Sequence, residues 1–153
     1  MEDELKIMDD IYTNSEAFLS RVSQELKRAQ RYLSFVSYLN IDTKSLGIDS
    51  DLQNGGNRLE IFNKIRQHIR GAIRQTDIIS GFNGGKISVV LVETSKPGAE
   101  IVKNRLQESI KYFLHEIVES PMNWKVSINA GSFPDDEHTP NSFYKKISST
   151  LSE

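Results

Sequence analysis

Asp77-Ile78-Ile79-Ser80-Gly81-Phe82-Asn83-Gly84-Gly85-Lys86-Ile87-Ser88-Val89-Val90-Leu91-Val92 is the stretch that decides the fold. Two runs rich in β-branched residues flank Asn83-Gly84, and Asn-Gly supplies the positive φ values that a tight hairpin turn requires. The stretch reads as a central β-hairpin. Upstream of it, Leu59, Phe62, Ile65, Ile69 and Ile73 recur at helical spacing, separated by Lys64, Arg66, Arg70 and Arg74. That pattern is a helix with one buried stripe and a basic opposite face. Downstream, after Lys96-Pro97-Gly98, a helix runs from about 99 to 118 with Val102, Leu106, Ile110, Phe113 and Leu114 on its inner face.

Further out the pattern continues in both directions. Asn14 and Ser15 are good caps for an amphipathic helix over 15–31, whose apolar positions are Phe18, Leu19, Val22, Leu26 and Ala29. Residues 33–42 alternate enough to read as a strand ending near Asp42, and 124–133 read as another, with Trp124 at its edge. Thr139 caps a last helix carrying Phe143, Ile147 and Leu151. Residues 1–13 read as a lead-in helix or linker, and 43–58, rich in Ser, Gly, Asp and Asn, as a loop. Helix, strand, helix, strand, strand, helix, strand, helix is not the strict alternation of a parallel doubly wound sheet. It predicts an α+β fold with a ferredoxin-like mixed, largely antiparallel sheet and flanking helices.

Composition narrows the function classes. The 153 residues suit one domain, and 37% hydrophobic content is enough for a core. Nineteen Lys plus Arg against 21 Asp plus Glu argue against a DNA or RNA scaffold. The absence of cysteine excludes disulfides, thiolate zinc sites and a Cys nucleophile. No apolar run approaches the ~18 residues of a membrane span, so direct membrane insertion is not expected. The acidic start, Met1-Glu2-Asp3-Glu4-Leu5, lacks a signal pattern and points to the cytoplasm. His68, His115 and His138 stand alone, without a partner at metal-ligand spacing. Ser127 has no nucleophile-elbow context, and Gly84-Gly85 lacks the Gly-Lys-Ser/Thr ending of a P-loop.

From Asn14 to Leu151 the chain resembles the GGDEF family, the diguanylate cyclase domains. Asn14-Ser15-Glu16-Ala17-Phe18 is similar to the family's Asn-Arg-Arg-x-Phe helix start, and Asn40-Ile41-Asp42 to its Asp-x-Asp strand end. Arg74-Gln75-Thr76-Asp77, then five residues, then Asn83-Gly84-Gly85-Lys86-Ile87 reproduces the spacing from the RxxD motif to the signature. Val126-Ser127-Ile128-Asn129-Ala130 resembles the late Val-Ser-Ile-Gly strand. The resemblance implies a nucleotidyl-cyclase-type fold over 14–153.

Departures from the family pattern set the functional expectation. Joining two GTP molecules needs a divalent metal on oxygen ligands. Here both signature carboxylates are gone and Lys86 puts an ammonium in their place, while the leading Asp of the strand motif is Asn40. Neither cyclase activity nor a magnesium site is expected, and the residues 43–58 cannot be matched to the family's guanine contacts. The inhibitory-type site survives by resemblance: Arg74 and Asp77 match RxxD, and Arg105 falls at the family's second arginine. An Arg fork suits guanine O6 and N7, and an Asp suits the N1 and N2 donors. The expected function is therefore a catalytically inactive receptor for cyclic di-GMP, relaying the signal to adjacent domains, protein partners or a homodimer mate. The alternatives are a nucleotide-independent structural or dimerisation module and, ranked lower, a GTP-binding effector domain. The acidic first dozen residues and the abrupt end at Glu153 suggest an excised piece or a compact partner protein.

Overall fold

The computed structural model describes residues 7–8, 11–43, 51–80, 85–118 and 125–151, for 7–8 and 51–59 as backbone only. The elements are β1 Ile7–Met8, β2 Ile11–Tyr12, α1 Ser15–Arg31, β3 Val36–Asp42 and α2 Asp51–Ala72. They continue with β4 Ile78–Ile79, β5 Lys86–Val92, α3 Lys96–Ile117, β6 Ser127–Phe133 and α4 Pro140–Leu151. Four strands form one sheet in the order β4-β5-β3-β6, every neighbour antiparallel. The expected α+β class is what the chain adopts. Within the sheet β5 and β3 are the inner strands, and β4 closes one edge.

Period-two alternation assigns each strand residue to one of two cores. Leu39, Ile41, Ile87, Val89 and Leu91 face α2 and α3, where they meet Ile65, Ile69, Leu106 and Ile110. Val36, Tyr38, Val90 and Val92 face α1 and α4, where they meet Phe18, Val22, Phe143 and Ile147. A one-residue slip would exchange the faces of every strand side chain, so the buried pattern fixes the register. That register sets Asp42 opposite Lys86 on one side and Ser127 on the other. Tyr38 lies opposite Gly131, and its ring occupies the space that a β-carbon there would need.

Local expectations hold at several ends. Asn14 caps α1 by accepting from the Ala17 N–H at 3.0 Å, and Thr139 caps α4 by accepting from the Ser142 N–H at 3.1 Å. Three differ. The expected loop over 43–58 is helical from Asp51 onward. Gly55 and Gly56 are each unfavourable in a helix by about 1 kcal/mol, but burial of Phe62, Ile65 and Ile69 anchors the later turns and the helix extends back from them. Where a lead-in helix or linker is expected, Ile7–Met8 and Ile11–Tyr12 form a short antiparallel pair, with Ile11 in the core and Tyr12 bridged in parallel to Ser80. The third strand starts at Val36 rather than 33, because Leu33 takes a left-handed turn (φ 54°) and is 90% exposed. Trp124, Asn83 and Gly84 lie outside the described residues.

Candidate functional site

A spacing of three residues is what a single turn closes, and Arg74–Asp77 is such a turn just beyond the end of α2. The Asp77 N–H donates to the Arg74 carbonyl at 3.0 Å, and Asp77 Oδ2 accepts from the Arg74 N–H at 3.0 Å. The carboxylate is then filled from other directions. Oδ2 also accepts from Arg74 Nε at 3.3 Å, while Oδ1 accepts from Arg74 Nη2 at 3.2 Å and from the Val92 N–H at 3.0 Å. A carboxylate offers about four lone-pair sites, and four donors occupy them here. Asp77's side chain is 2% exposed against 55% for Arg74. Asp77 therefore clamps the start of β4 to the end of β5 and holds one edge of the Arg74 guanidinium, leaving the rest of that group toward solvent.

Neighbouring groups extend this clamp into a polar seam. Arg74 Nη2 also donates to the Val92 carbonyl and to Thr94 Oγ1, and Arg70 donates to the carbonyls of Asp77 and Arg74. Cations at a helix C-terminus suit its exposed carbonyls. Ser37 Oγ donates to the Thr94 carbonyl at 2.7 Å and sits 2.7 Å from Ser132 Oγ. Asp136 accepts from the Ser132 N–H and from Lys96 Nζ, which raises the Lys96 pKa above its usual value. Neither Arg70 nor Thr94 was singled out by sequence; Arg70's place one turn before Arg74 was the available signal.

Beside the seam lies a cleft of about 770 Å³, lined among others by Lys27, Arg28, Arg31, Tyr32, Phe35 and Glu93. Glu93 sits between the two residues that Arg74 holds and pairs with Arg28 at 3.8 Å. That pair is largely exposed and adds little stability. The cleft and Arg74 thus share the turn between β5 and α3, although neither Arg74 nor Asp77 lines the cleft. Arg105 stands on the exposed face of α3. Among the described residues, no hydrogen bond or ion pair joins it to Arg74 or Asp77.

At the other end of β5 the signature carries different chemistry. Gly85 has φ 81°, a left-handed value that glycine adopts freely, and its carbonyl accepts from the Thr43 N–H at 2.9 Å. Ile87 is buried in the core, and Lys86 stands across from Asp42. Asn40 Oδ1 is 3.4 Å from Ser88 Oγ. A divalent-metal cage needs several anionic oxygens, and a donor set of one carboxylate, one amide and a facing ammonium does not fit it. Among the described residues, no three His, Asp or Glu side chains gather as a metal site. None of the described helices is long and apolar enough to cross a membrane.

The family model described as diguanylate cyclase, GGDEF domain, matches residues 11–153. The chain belongs to the GGDEF family. Solved GGDEF domains share its fold. That of YfiN (TpbB) from Pseudomonas aeruginosa superposes with a TM-score of 0.68 at 17% identity, covering 89% of this chain and 85% of that one. The active GGEEF domain of a diguanylate cyclase from Vibrio cholerae gives 0.67 at 16% identity, covering 89% and 86%. A microbial GGDEF domain described in an interaction with cyclic di-GMP gives 0.58 at 14% identity, covering 86% and 78%. A search of the curated proteins finds no match.

The histidines need one revision. His68 is not an isolated flank residue: its Nε2 lies 2.6 Å from Ser109 Oγ, and its ring stacks on Phe113 at 4.5 Å between centroids. Burial lowers its pKa below the usual 6.5, partly opposed by Glu116. This is a packing contact between α2 and α3, and among the described residues no third group orients it as a catalytic dyad would require.

Proposed function

We propose that this GGDEF domain is a non-catalytic receptor for cyclic di-GMP, contacting the dinucleotide through Arg74 and Arg105. The observation that carries the reading is the asymmetry at Arg74–Asp77. A buried carboxylate fixes a half-exposed guanidinium, while the signature end carries Asn40 and Lys86 in place of carboxylates. Asp77's role in this reading is positioning: its oxygens already accept four bonds, so guanine is met by Arg74 Nη1, the guanidinium nitrogen that no hydrogen bond among the described residues engages. A charge-assisted bond from Arg74 to guanine or phosphate oxygen is the recognition step, and Lys27 and Arg31 on the cleft beside it suit the ligand's two phosphates. The described interaction of a related domain with cyclic di-GMP supports the ligand class.

Titration calorimetry with cyclic di-GMP tests this. Saturable binding is expected, weakened about tenfold or more in Arg74→Ala. Absence of heat at high micromolar ligand, or an unchanged affinity in Arg74→Ala, overturns it. The saturation of Asp77 favours a second reading, a nucleotide-independent scaffold, which predicts no ligand-induced rise in melting temperature. Formation of cyclic di-GMP from GTP and magnesium would overturn both.

A further inference from the structure

We propose that the outward face of α3 is a self-association surface whose partner is a second copy of this chain, packed antiparallel about a two-fold axis. Ile101 is 59% exposed and Tyr112 69%, both large hydrophobic side chains on a single helix. Between them lie Arg105 and Glu108, also exposed. At 3.6 residues per turn, Ile101, Arg105, Glu108 and Tyr112 fall within about 60° of arc. They lie opposite Ala99, Leu106, Ile110 and Leu114, which face the core. The stripe points away from the sheet, and among the described residues no other element covers it.

The order of the stripe makes it complementary to itself. Two copies laid antiparallel and centred between Leu106 and Gln107 bring Ile101 against Tyr112 of the other copy. The same register brings Arg105 against Glu108 of the other copy, and symmetry repeats both contacts. A parallel arrangement in register would instead set Arg105 on Arg105 and Glu108 on Glu108. Within the chain, no ion pair among the described residues occupies either charge. Because each residue of the stripe meets its complement under a two-fold operation, the contact closes at a dimer and does not propagate. One helix pair buries less than the ~1,200 Å² of a stable interface, so the association is weak and reversible. It needs no nucleotide, so its failure is distinguishable from failure of the receptor reading. Because both draw on Arg105, a ligand held there competes with the dimer.

Sedimentation velocity without nucleotide, at concentrations reaching about 1 mM, tests the surface in the weak-affinity range. A monomer–dimer equilibrium is expected, and Ile101→Lys should weaken it about tenfold or more. Charge exchange tests the register. Arg105→Glu and Glu108→Arg should each be monomeric alone, because both place like charges in contact. Mixed in equal amounts they should associate, and the double variant should recover self-association, since every contact between the two positions is then of opposite sign. All three substituted positions are exposed, and circular dichroism checks that each variant is folded. A wild-type chain that stays monomeric at the highest concentration overturns the proposal. So does a mixture that associates no more tightly than its components.

Discussion

At one end of β5, Val92 gives its N–H to a buried carboxylate that also ties down an arginine; about 20 Å away at the other, Lys86 stands opposite Asp42. The first end is a hydrogen-bonded unit in which both Asp77 oxygens and the Arg74 Nε and Nη2 have defined partners. The second carries the left-handed Gly85, whose bond from the Thr43 N–H continues the β3–β5 ladder, and a single carboxylate at Asp42. One strand therefore carries a closed carboxylate clamp at one end and a single carboxylate facing an ammonium at the other. The hairpin scaffold depends on backbone geometry and burial of Ile87 and Val89, and metal chemistry depends on side chains that point away from that core.

The sharpest way to break this contrast is Asp77→Ala. It strands the Val92 N–H, which is buried, and removes the acceptor for the Arg74 N–H. Each buried unsatisfied donor costs about 1–3 kcal/mol, so urea unfolding should show the largest loss of any change considered at either end of β5. Asp77→Asn keeps an acceptor oxygen and should lose less. A stability unchanged in Asp77→Ala would mean that the clamp is dispensable and that the carboxylate serves only a ligand.

Lys86→Glu probes the opposite end and is expected to be milder. It sets two carboxylates directly across an antiparallel pair, where like charges destabilise by up to about 1 kcal/mol. Magnesium should reverse that loss in the variant and leave the wild-type melting temperature unchanged. A magnesium-dependent rise in the wild-type chain would show that its present oxygens already hold the ion.

The difference in legibility between these regions has physical causes. The Arg74–Asp77 motif was readable because a turn fixes its spacing, yet nothing in four letters reveals that Val92, fifteen residues on, fills the carboxylate. The hairpin and the helices at 15–31 and about 99–118 were legible because their apolar period was strong. The helix over 51–58 was not, since Gly55-Gly56-Asn57 reads as a breaker locally and is overridden by the packing of later turns. Leu33 and Phe35 misled in the other sense: their apolar character suggested a strand where the chain makes an exposed turn. His68 was unreadable as a contact because Ser109 and Phe113, which give it its environment, belong to a helix some forty residues away.

The smallest effect is a pH dependence that touches neither end of β5. His68 packs between α2 and α3, near Glu60, Lys64, Ser109 and Phe113, and burial disfavours its imidazolium, with Glu116 opposing more weakly. Its folded pKa is therefore below the 6.5 of the unfolded chain, so the unfolded state binds the proton more readily. The contribution of neutral His68 is fully present above pH 6.5 and is lost as the pH falls through the folded value. Urea midpoints should consequently drop on acidification in the wild type, and more steeply than in His68→Gln, which cannot titrate. His115 and His138 remain in both proteins, so the difference between the two curves isolates His68. If the curves run parallel, the buried stack carries no protonation penalty. If they diverge, protonation of His68 loosens the contact between α2 and α3, and adding Asp77→Ala to His68→Gln should give the sum of the two single losses, since the sites share no partner.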